Sequence, residues 1–402
     1  MEKYEQKTEF QQSLEEIIRD GARKMLQQAV ENEVEEFVKQ FCNVRNEKGR
    51  RVVTRNGYLP EREIQTGVGL LKVKKRRVKG ETFSSSILPS YMRRTPSIDA
   101  LVPALYLKGV STGNMGEALC AILGEHAKGL SATNISRLTG CWEEDYKEWC
   151  KRDLSDKEYV YFWVDGIYFN VRLTHDRPCC LVIIGALANG KKEMVAIYDG
   201  ERESKLSWKT VLQNLKSRGL KNGPKLSIGD GALGFWAAIE EEFPECRHQR
   251  CWVHKTANIL DKMPKSVQVD AKRMVHDMYM APTKKEGIKA MDDFLSLYEA
   301  KYPKACQCLA KDKDQLFTFY DYPAEHWQHI RTTNPIESTF ATIRHRSRQT
   351  KGCGSRTATL SMVFKLSMSA EARWRKLRGK ERVMQVMNGM LFRDGEEVKA
   401  AA

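Results

Sequence analysis

Apolar residues recur every three or four positions between Phe10 and Phe41, at Leu14, Ile17, Ile18, Met25, Val30, Val34, Phe37, Val38 and Phe41. That spacing predicts an amphipathic helix or helix pair, packed in an N-terminal bundle or a dimer. From Arg50 to Ser86 the texture changes to short alternating segments, Arg62–Thr66 and Leu70–Lys74, around a Gly67–Gly69 turn, which predicts a small β-unit. Helical spacing returns over Ile98–Lys108 and Asn114–Leu123. Gly124 and Gly129 then break the chain, and Ser131 offers an N-cap for a third helix running through Leu138. Three short helices with tight turns suit a helix-turn-helix, and they suit an ordinary three-helix bundle as well.

Beyond Tyr159 the pattern becomes α/β. Tyr159–Val164, Ile167–Leu173, Cys180–Ala188 and Glu193–Tyr198 read as strands, with turn signals at Asp176–Pro178 and Asn189–Gly190. A helix follows over Ser204–Arg218, with Trp208, Val211, Leu212 and Leu215 on one face and Gly219 at its end. Then come a strand at Lys225–Ile228, a helix at Ala232–Phe243 and a strand at Arg247–Val253. Helical segments fill His254–Tyr320, and a last helix starts at Asn334. The order predicts a mixed sheet with helices on its faces, interrupted by an all-helical insertion at about 255–330. The expected domains are 1–95 (helical and basic), 96–150 (helix-turn-helix-like, for DNA binding or dimerisation) and 151–402 (the α/β unit).

The 402 residues carry a formal charge of +15, and a chain this basic meets a polyanion. The excess is localised. Arg45–Arg94 holds fourteen Lys and Arg against four Asp and Glu, and Arg344–Arg382 holds twelve against two. Two separated grips on nucleic acid account for this, with the run Lys72–Lys79 facing phosphate. The charge tips the three-helix reading towards DNA, with the helix near Ser131 entering the major groove. No apolar run approaches the ~20 residues of a membrane span, and no export signal opens the chain. A cytoplasmic, nucleoid-associated protein with its eleven cysteines reduced is expected.

Three carboxylates stand where the chemistry of such a partner needs them. Asp165 follows the apolar run Val160-Tyr161-Phe162-Trp163-Val164, Asp230 follows Lys225–Ile228, and Glu337 opens the last helix. Each has a plain alternative: a hairpin turn at Asp165-Gly166, an N-cap at Asp230, and a capping box with Asn334 as N-cap and Pro335 at the first helical position. The conjunction favours one acidic cluster at a sheet edge, where oxygen ligands suit magnesium or manganese. In the last helix Ile336, Phe340 and Ile343 form the buried stripe. Glu337, Ala341, Arg344 and Arg348 lie along a neighbouring one, which places arginines beside an acid that would hold metal near phosphates.

These segments resemble a known family, the Mutator-like transposases of bacterial insertion sequences. The likeness rests on Arg55-Asn56-Gly57-Tyr58, Gly109-Val110-Ser111-Thr112, Val164-Asp165-Gly166-Ile167-Tyr168, Ile228-Gly229-Asp230-Gly231, Gln249-Arg250-Cys251-Trp252-Val253-His254 and Thr332-Thr333-Asn334-Pro335-Ile336-Glu337, in that order. The resemblance implies an RNase H-like catalytic core with a helical insertion, after a mainly helical N-terminal DNA-binding region with its small basic β-unit. It implies an Asp165–Asp230–Glu337 triad holding two divalent cations, magnesium or manganese. It further implies binding of double-stranded DNA at terminal inverted repeats, strand cleavage, and transfer of the freed 3′-hydroxyl to target DNA, by a homodimer that uses no ATP. Expected DNA contacts are Arg55, Asn56, Tyr58, Lys72, Lys74, Lys75, Arg76, Arg77, Asn334, Arg344 and Arg348, with Trp327 a candidate for stacking on a flipped base beside the commoner reading as a core Trp. A nuclease or resolvase of the same fold, or a DNA-binding regulator derived from a transposase, are the alternatives.

The family pattern also contains a Cys-x-x-His, met here by Cys251 and His254, with His254 expected near the carboxylates and the scissile DNA. A zinc site of Cys246, His248, Cys251 and His254 is the rival. On one strand Cys251 would face away from Cys246 and His248, so no tightly bound zinc is expected there. Gly185–Lys192 nearly spells a phosphate-binding loop, but Lys192 replaces the hydroxyl residue and a strand follows instead of a helix.

Overall fold

A computed structural model describes residues 13–111, 113–123, 132–169, 179–200, 202–349 and 355–398. The chain forms two compact units, 1–140 and 141–402. No described helix is long and apolar enough to cross a membrane.

In the first unit α1 (Leu14–Gln40) is capped by Ser13, whose side chain accepts from Glu16 N while the Glu16 carboxylate accepts from Ser13 N. Val30 and Val34 are buried, but Leu14, Ile17, Ile18 and Met25 are exposed. Two antiparallel pairs follow, β1 (Thr54–Tyr58) with β4 (Arg76–Lys79), and β2 (Arg62–Thr66) with β3 (Gly69–Val73). Gly69 turns the second pair with φ +103°, a conformation open to glycine at little cost. Val30, Ile64, Val73 and Leu88 make a small core. Helices α2 (Pro96–Leu107) and α3 (Met115–Leu123) pack through Ile98, Val102, Met115 and Leu119. The expected breaks at Gly124 and Gly129 and the Ser131 cap lie outside the described residues, and α4 (Ala132–Cys150) runs across the division between units.

The second unit is built on one five-stranded sheet of β5 (Tyr159–Tyr168), β6 (Cys179–Leu187), β7 (Lys192–Gly200), β8 (Leu226–Gly229) and β9 (Arg247–Arg250), in the order β7-β6-β5-β8-β9. The first three strands pair antiparallel, whereas β5–β8 and β8–β9 are parallel. Between them lie α5 (Lys205–Ser217), capped by Ser204, and α6 (Leu233–Glu242). Alternation along β5 sends Phe162 and Val164 to the face where Trp208, Val211, Leu212, Phe235 and Ile239 complete the core. Tyr161 and Trp163 take the other face, where the Tyr161 hydroxyl lies 2.6 Å from His326 Nδ1 and Trp163 Nε1 donates to the His329 carbonyl at 2.8 Å.

Two boundaries differ from expectation. The segments Tyr159–Val164 and Ile167 onward form one strand, because β6 pairs straight through Asp165-Gly166 (with Val182 and Leu181) and leaves no turn there; the part beyond Phe169 lies outside the described residues. The expected strand Arg247–Val253 ends at Arg250, and α7 (Trp252–Leu260) begins with Cys251 as its N-cap. The helical excursion continues through α8 (Lys265–Met280), α9 (Lys284–Tyr298), α10 (Pro303–Ala310), α11 (Lys313–Leu316) and α12 (Trp327–Ile330). It is followed by α13 (Asn334–Gln349), α14 (Arg356–Glu371), α15 (Val383–Met387) and a hairpin of β10 (Phe392–Arg393) and β11 (Glu396–Glu397). The chain closes on itself at the base of the excursion, where Trp252 N donates to the Arg331 carbonyl at 3.0 Å.

Candidate active site

Register places the first two acids side by side. Trp163 of β5 pairs with Ile228 of β8, so Asp165 and Asp230 each lie two residues beyond one rung of a parallel ladder. Asp165 is inside its strand, and Asp230 directly follows one. Asp165 Oδ1 accepts from Gly166 N at 2.8 Å, and Asp230 Oδ1 accepts from Ala232 N at 2.8 Å. The latter bond, with Gly231 at φ +88°, closes a turn ahead of α6, whose N-cap is Ala232 and not Asp230 as the N-cap reading has it. Burial first, and the Asp230 charge second, push the Asp165 carboxyl up to about 6, against the pull of His254, Gly166 N–H and Arg344.

The third acid arrives on α13. Thr333 precedes this helix, and its carbonyl accepts from Ile336 N and Glu337 N at 2.9 and 3.0 Å, so the helix starts at Asn334 as expected, with Asn334 inside its first turn and not at its cap. Ile336, Phe340 and Ile343 are wholly buried, as the stripe requires, and α13 packs on β5 and β6. Glu337 Oε1 lies 3.8 Å from His254 Nε2 and accepts from Thr333 Oγ1 at 3.0 Å. Cys251 and His254 belong to the cap and first turn of α7. Thr333 N donates towards Cys251 Sγ at 3.3 Å, and Thr333 Oγ1 lies 3.3 Å from the same sulfur. Hydrogen bonding to Cys251 raises His254 to about 9 despite burial, with the charges of Cys251, Asp165 and Glu337 adding to it. Burial opposes ionisation of the Cys251 thiol, yet the hydrogen bonds from His254 and Thr333 bring it below its ordinary value.

A fourth acid, Glu203, was not singled out in the sequence. It lies just before the Ser204 cap of α5, and together with Asp165 and Asp230 it lines one small cavity closed by Trp208, Phe235 and Trp236. Burial, then the Asp230 and Asp165 charges, push it up to about 7. Its carboxylate occupies the space a Cβ would need at Gly166. That glycine, next to Asp165 in the middle of a strand, is the one signal in the sequence that a group approaches there.

Cys246 and His248 do not join Cys251 and His254. The Cys246 thiol lies 3.1 Å from Ser227 Oγ, and His248 stacks on Trp236 with ring centroids 4.5 Å apart. Among the described residues, the group that brings ligand atoms within 4.8 Å of one another is Cys251, His254 and Glu337. Arg344 is exposed on α13 and close enough to act on Asp165; Asn334 is exposed too. The Arg348 side chain lies outside the described part. Trp327 is packed edge-to-face on Phe319 and Tyr320, with its Nε1 donating to the Tyr322 carbonyl at 2.9 Å.

The expected phosphate contacts of the first unit lie on β1, β3, β4 and the β3–β4 connection. Asn56, Lys74 and Arg77 are exposed; Arg55 pairs with Glu35 at 2.8 Å, Lys72 lies 3.9 Å from Glu63, Arg76 stacks over Tyr58, and Lys75 over Phe83.

The chain belongs to the Mutator family of transposases, whose family profile ("Transposase, Mutator family") matches residues 1–377. It is 48% identical to the transposase for insertion sequence element IST2 of Acidithiobacillus ferrooxidans, over 70% of this chain and 95% of that protein. It is also 48% identical to the transposase for element IS6120 of Mycolicibacterium smegmatis, over 73% of this chain and 91% of the relative. The transposase for IS256 in transposon Tn4001 of Staphylococcus aureus is 27% identical over 91% of this chain and 94% of its own length.

Proposed function

We propose that this protein is an insertion-sequence transposase that cuts and rejoins double-stranded DNA at an Asp165–Asp230–Glu337 site in an RNase H-like core. The observation that carries the reading is the acids' placement: one in β5, one directly after the adjacent parallel strand β8 at the same level, and a third beside His254 on α13, which packs on β5 and β6. The sheet order, with three antiparallel strands followed by two parallel ones, supports the fold assignment. The donor set fits hard divalent cations. It is made of carboxylate oxygens, and burial and mutual repulsion hold Asp165 and Glu203 well above the usual carboxylate range, a cost that positive charge relieves. Two magnesium or manganese ions held by the triad would activate the attacking oxygen and stabilise the leaving one.

Each chemical step is one in-line displacement. A water oxygen attacks the phosphorus at the element end, the P–O3′ bond breaks, and a 3′-hydroxyl is released; that hydroxyl then attacks a phosphorus of target DNA, giving up its proton as the new P–O bond forms while the target's own P–O3′ bond breaks and its 3′-oxygen leaves as a hydroxyl. The carboxylates act by position, Arg344 and protonated His254 bring positive charge to the phosphate, and the basic strands β1, β3 and β4 hold DNA through its backbone. Two element ends must meet, so the working form is a homodimer, and no nucleotide hydrolysis is needed. The test is cleavage of labelled DNA carrying the element's ends, with magnesium or manganese, followed by a strand-transfer assay. Asp165→Ala, Asp230→Ala and Glu337→Ala are each expected to be inactive yet folded and able to bind ends. Substantial cleavage by the Glu337→Ala protein sinks the assignment, and cleavage without transfer would make the protein a nuclease.

A further inference from the structure

Thr333 is wholly buried, and its polar atoms are directed at the site. Its N–H and hydroxyl both reach Cys251 Sγ at 3.3 Å, its Oγ1 lies 3.4 Å from His254 Nδ1, and the same Oγ1 is 3.0 Å from Glu337 Oε1. An ordinary cap threonine turns its hydroxyl to the free N–H groups of the next turn. Here the second residue after it is Pro335, which has no N–H to offer, and the hydroxyl's partners are side chains of the site. A hydroxyl carries one proton and two lone pairs. Glu337 is an acceptor when ionised, and the N–H of Thr333 already serves the Cys251 sulfur, so the hydroxyl proton is best used on Glu337 Oε1. A glutamate side chain otherwise samples a broad range about its last torsion. One fixed oxygen removes that freedom.

We propose that Thr333 is a positioning residue: its hydroxyl donates to Glu337 Oε1 while its N–H is anchored on the Cys251 sulfur, so that the third acid is held in one orientation by the α7 cap. The proposal rests on the reading of Glu337 as the third acid. It assigns Cys251 the role of an anchor, touching neither DNA nor metal.

Thr333→Val keeps the shape of the side chain and removes the O–H; Thr333→Ser keeps the O–H and removes the methyl. Both are compared with wild type and with Glu337→Ala for end cleavage, for the magnesium concentration giving half-maximal rate, and for end binding. A hydrogen bond to a charged group is worth roughly tenfold or more. Thr333→Val is therefore expected to cleave about tenfold or more slowly and to need several times more magnesium, with unchanged end binding, while Thr333→Ser stays within about threefold of wild type. If Thr333→Val does not fold, Thr333→Ala, which loses the same proton with less crowding, takes its place. An inactive Glu337→Ala beside a Thr333→Val with normal rate and magnesium dependence overturns the proposal alone. Equal losses in the Val and Ser variants overturn it too, because packing would then be the cause. An active Glu337→Ala overturns the underlying reading instead.

Discussion

Asp165 and Glu203 share a cost that is visible in pH. Their ordinary values are 3.8 and 4.5, and in the folded chain they stand at about 6 and about 7, burial being the first cause for both. The folded state thus binds more protons than the unfolded one between those values. The stability this lends is complete below the ordinary values and is lost as pH rises through 6 to 7. Without divalent cations, Glu203→Gln should therefore melt above wild type at pH 8, and the gap should shrink as pH falls towards 5. Adding magnesium should narrow it at pH 8 as well. A gap that ignores pH in thermal melts would refute this account. His254 is raised as well, though by a partner rather than by burial: Cys251 is the chief reason it stands near 9 against an ordinary 6.5. In Cys251→Ala the His254 titration, followed by NMR of labelled histidine, should fall towards that ordinary value; a midpoint left near 9 would assign the shift to the carboxylates instead.

At the scale of elements, α13 links packing to the proposed site, since one helix buries Ile336, Phe340 and Ile343 and carries Glu337. Phe340→Ala should cost about 3–5 kcal/mol in urea unfolding, and a loss under 1 kcal/mol would mean the stripe is not the anchor. In the first unit, removing Lys74, Arg76 and Arg77 together should flatten the salt dependence of DNA binding, by about 0.9 in log–log slope for each phosphate no longer neutralised; an unchanged slope would place the grip elsewhere. Periodic elements were legible in the sequence: α1, the β2–β3 hairpin and α5 lie within a residue or so of expectation, apart from the part of the first helix outside the described residues, because each shows one apolar face. Asp165-Gly166 misled because a local turn signal yielded to pairing with β6, a partner distant in sequence. Trp252-Val253 misled because a short apolar run fits a strand or a helix equally well. Three acids could be chosen by their place after strands and at a helix start. Glu203 could not: it stands in the polar stretch Asp199-Gly200-Glu201-Arg202-Glu203, and its approach to Gly166 exists only in three dimensions.

For the whole molecule, the acids of the proposed site come from one continuous sheet and a helix far along the chain, and the stretch between them leaves and returns at one place. The chain departs at Cys251 and returns at Thr333, and those two residues touch, with the Trp252–Arg331 hydrogen bond beside them. A detour tied at its base leaves its anchors where they are whatever its length, and each doubling of a flexible loop adds only about 0.6 kcal/mol of closure entropy. Several residues added to the turn between α9 and α10 should leave cleavage intact, whereas one residue added between Arg331 and Thr333 should abolish it; equal sensitivity at both places would contradict the picture. The helical excursion is in that sense a cassette. Its outer turns can lengthen or shorten while its inner end, joined to the sheet through Tyr161–His326 and Trp163–His329, stays as it is.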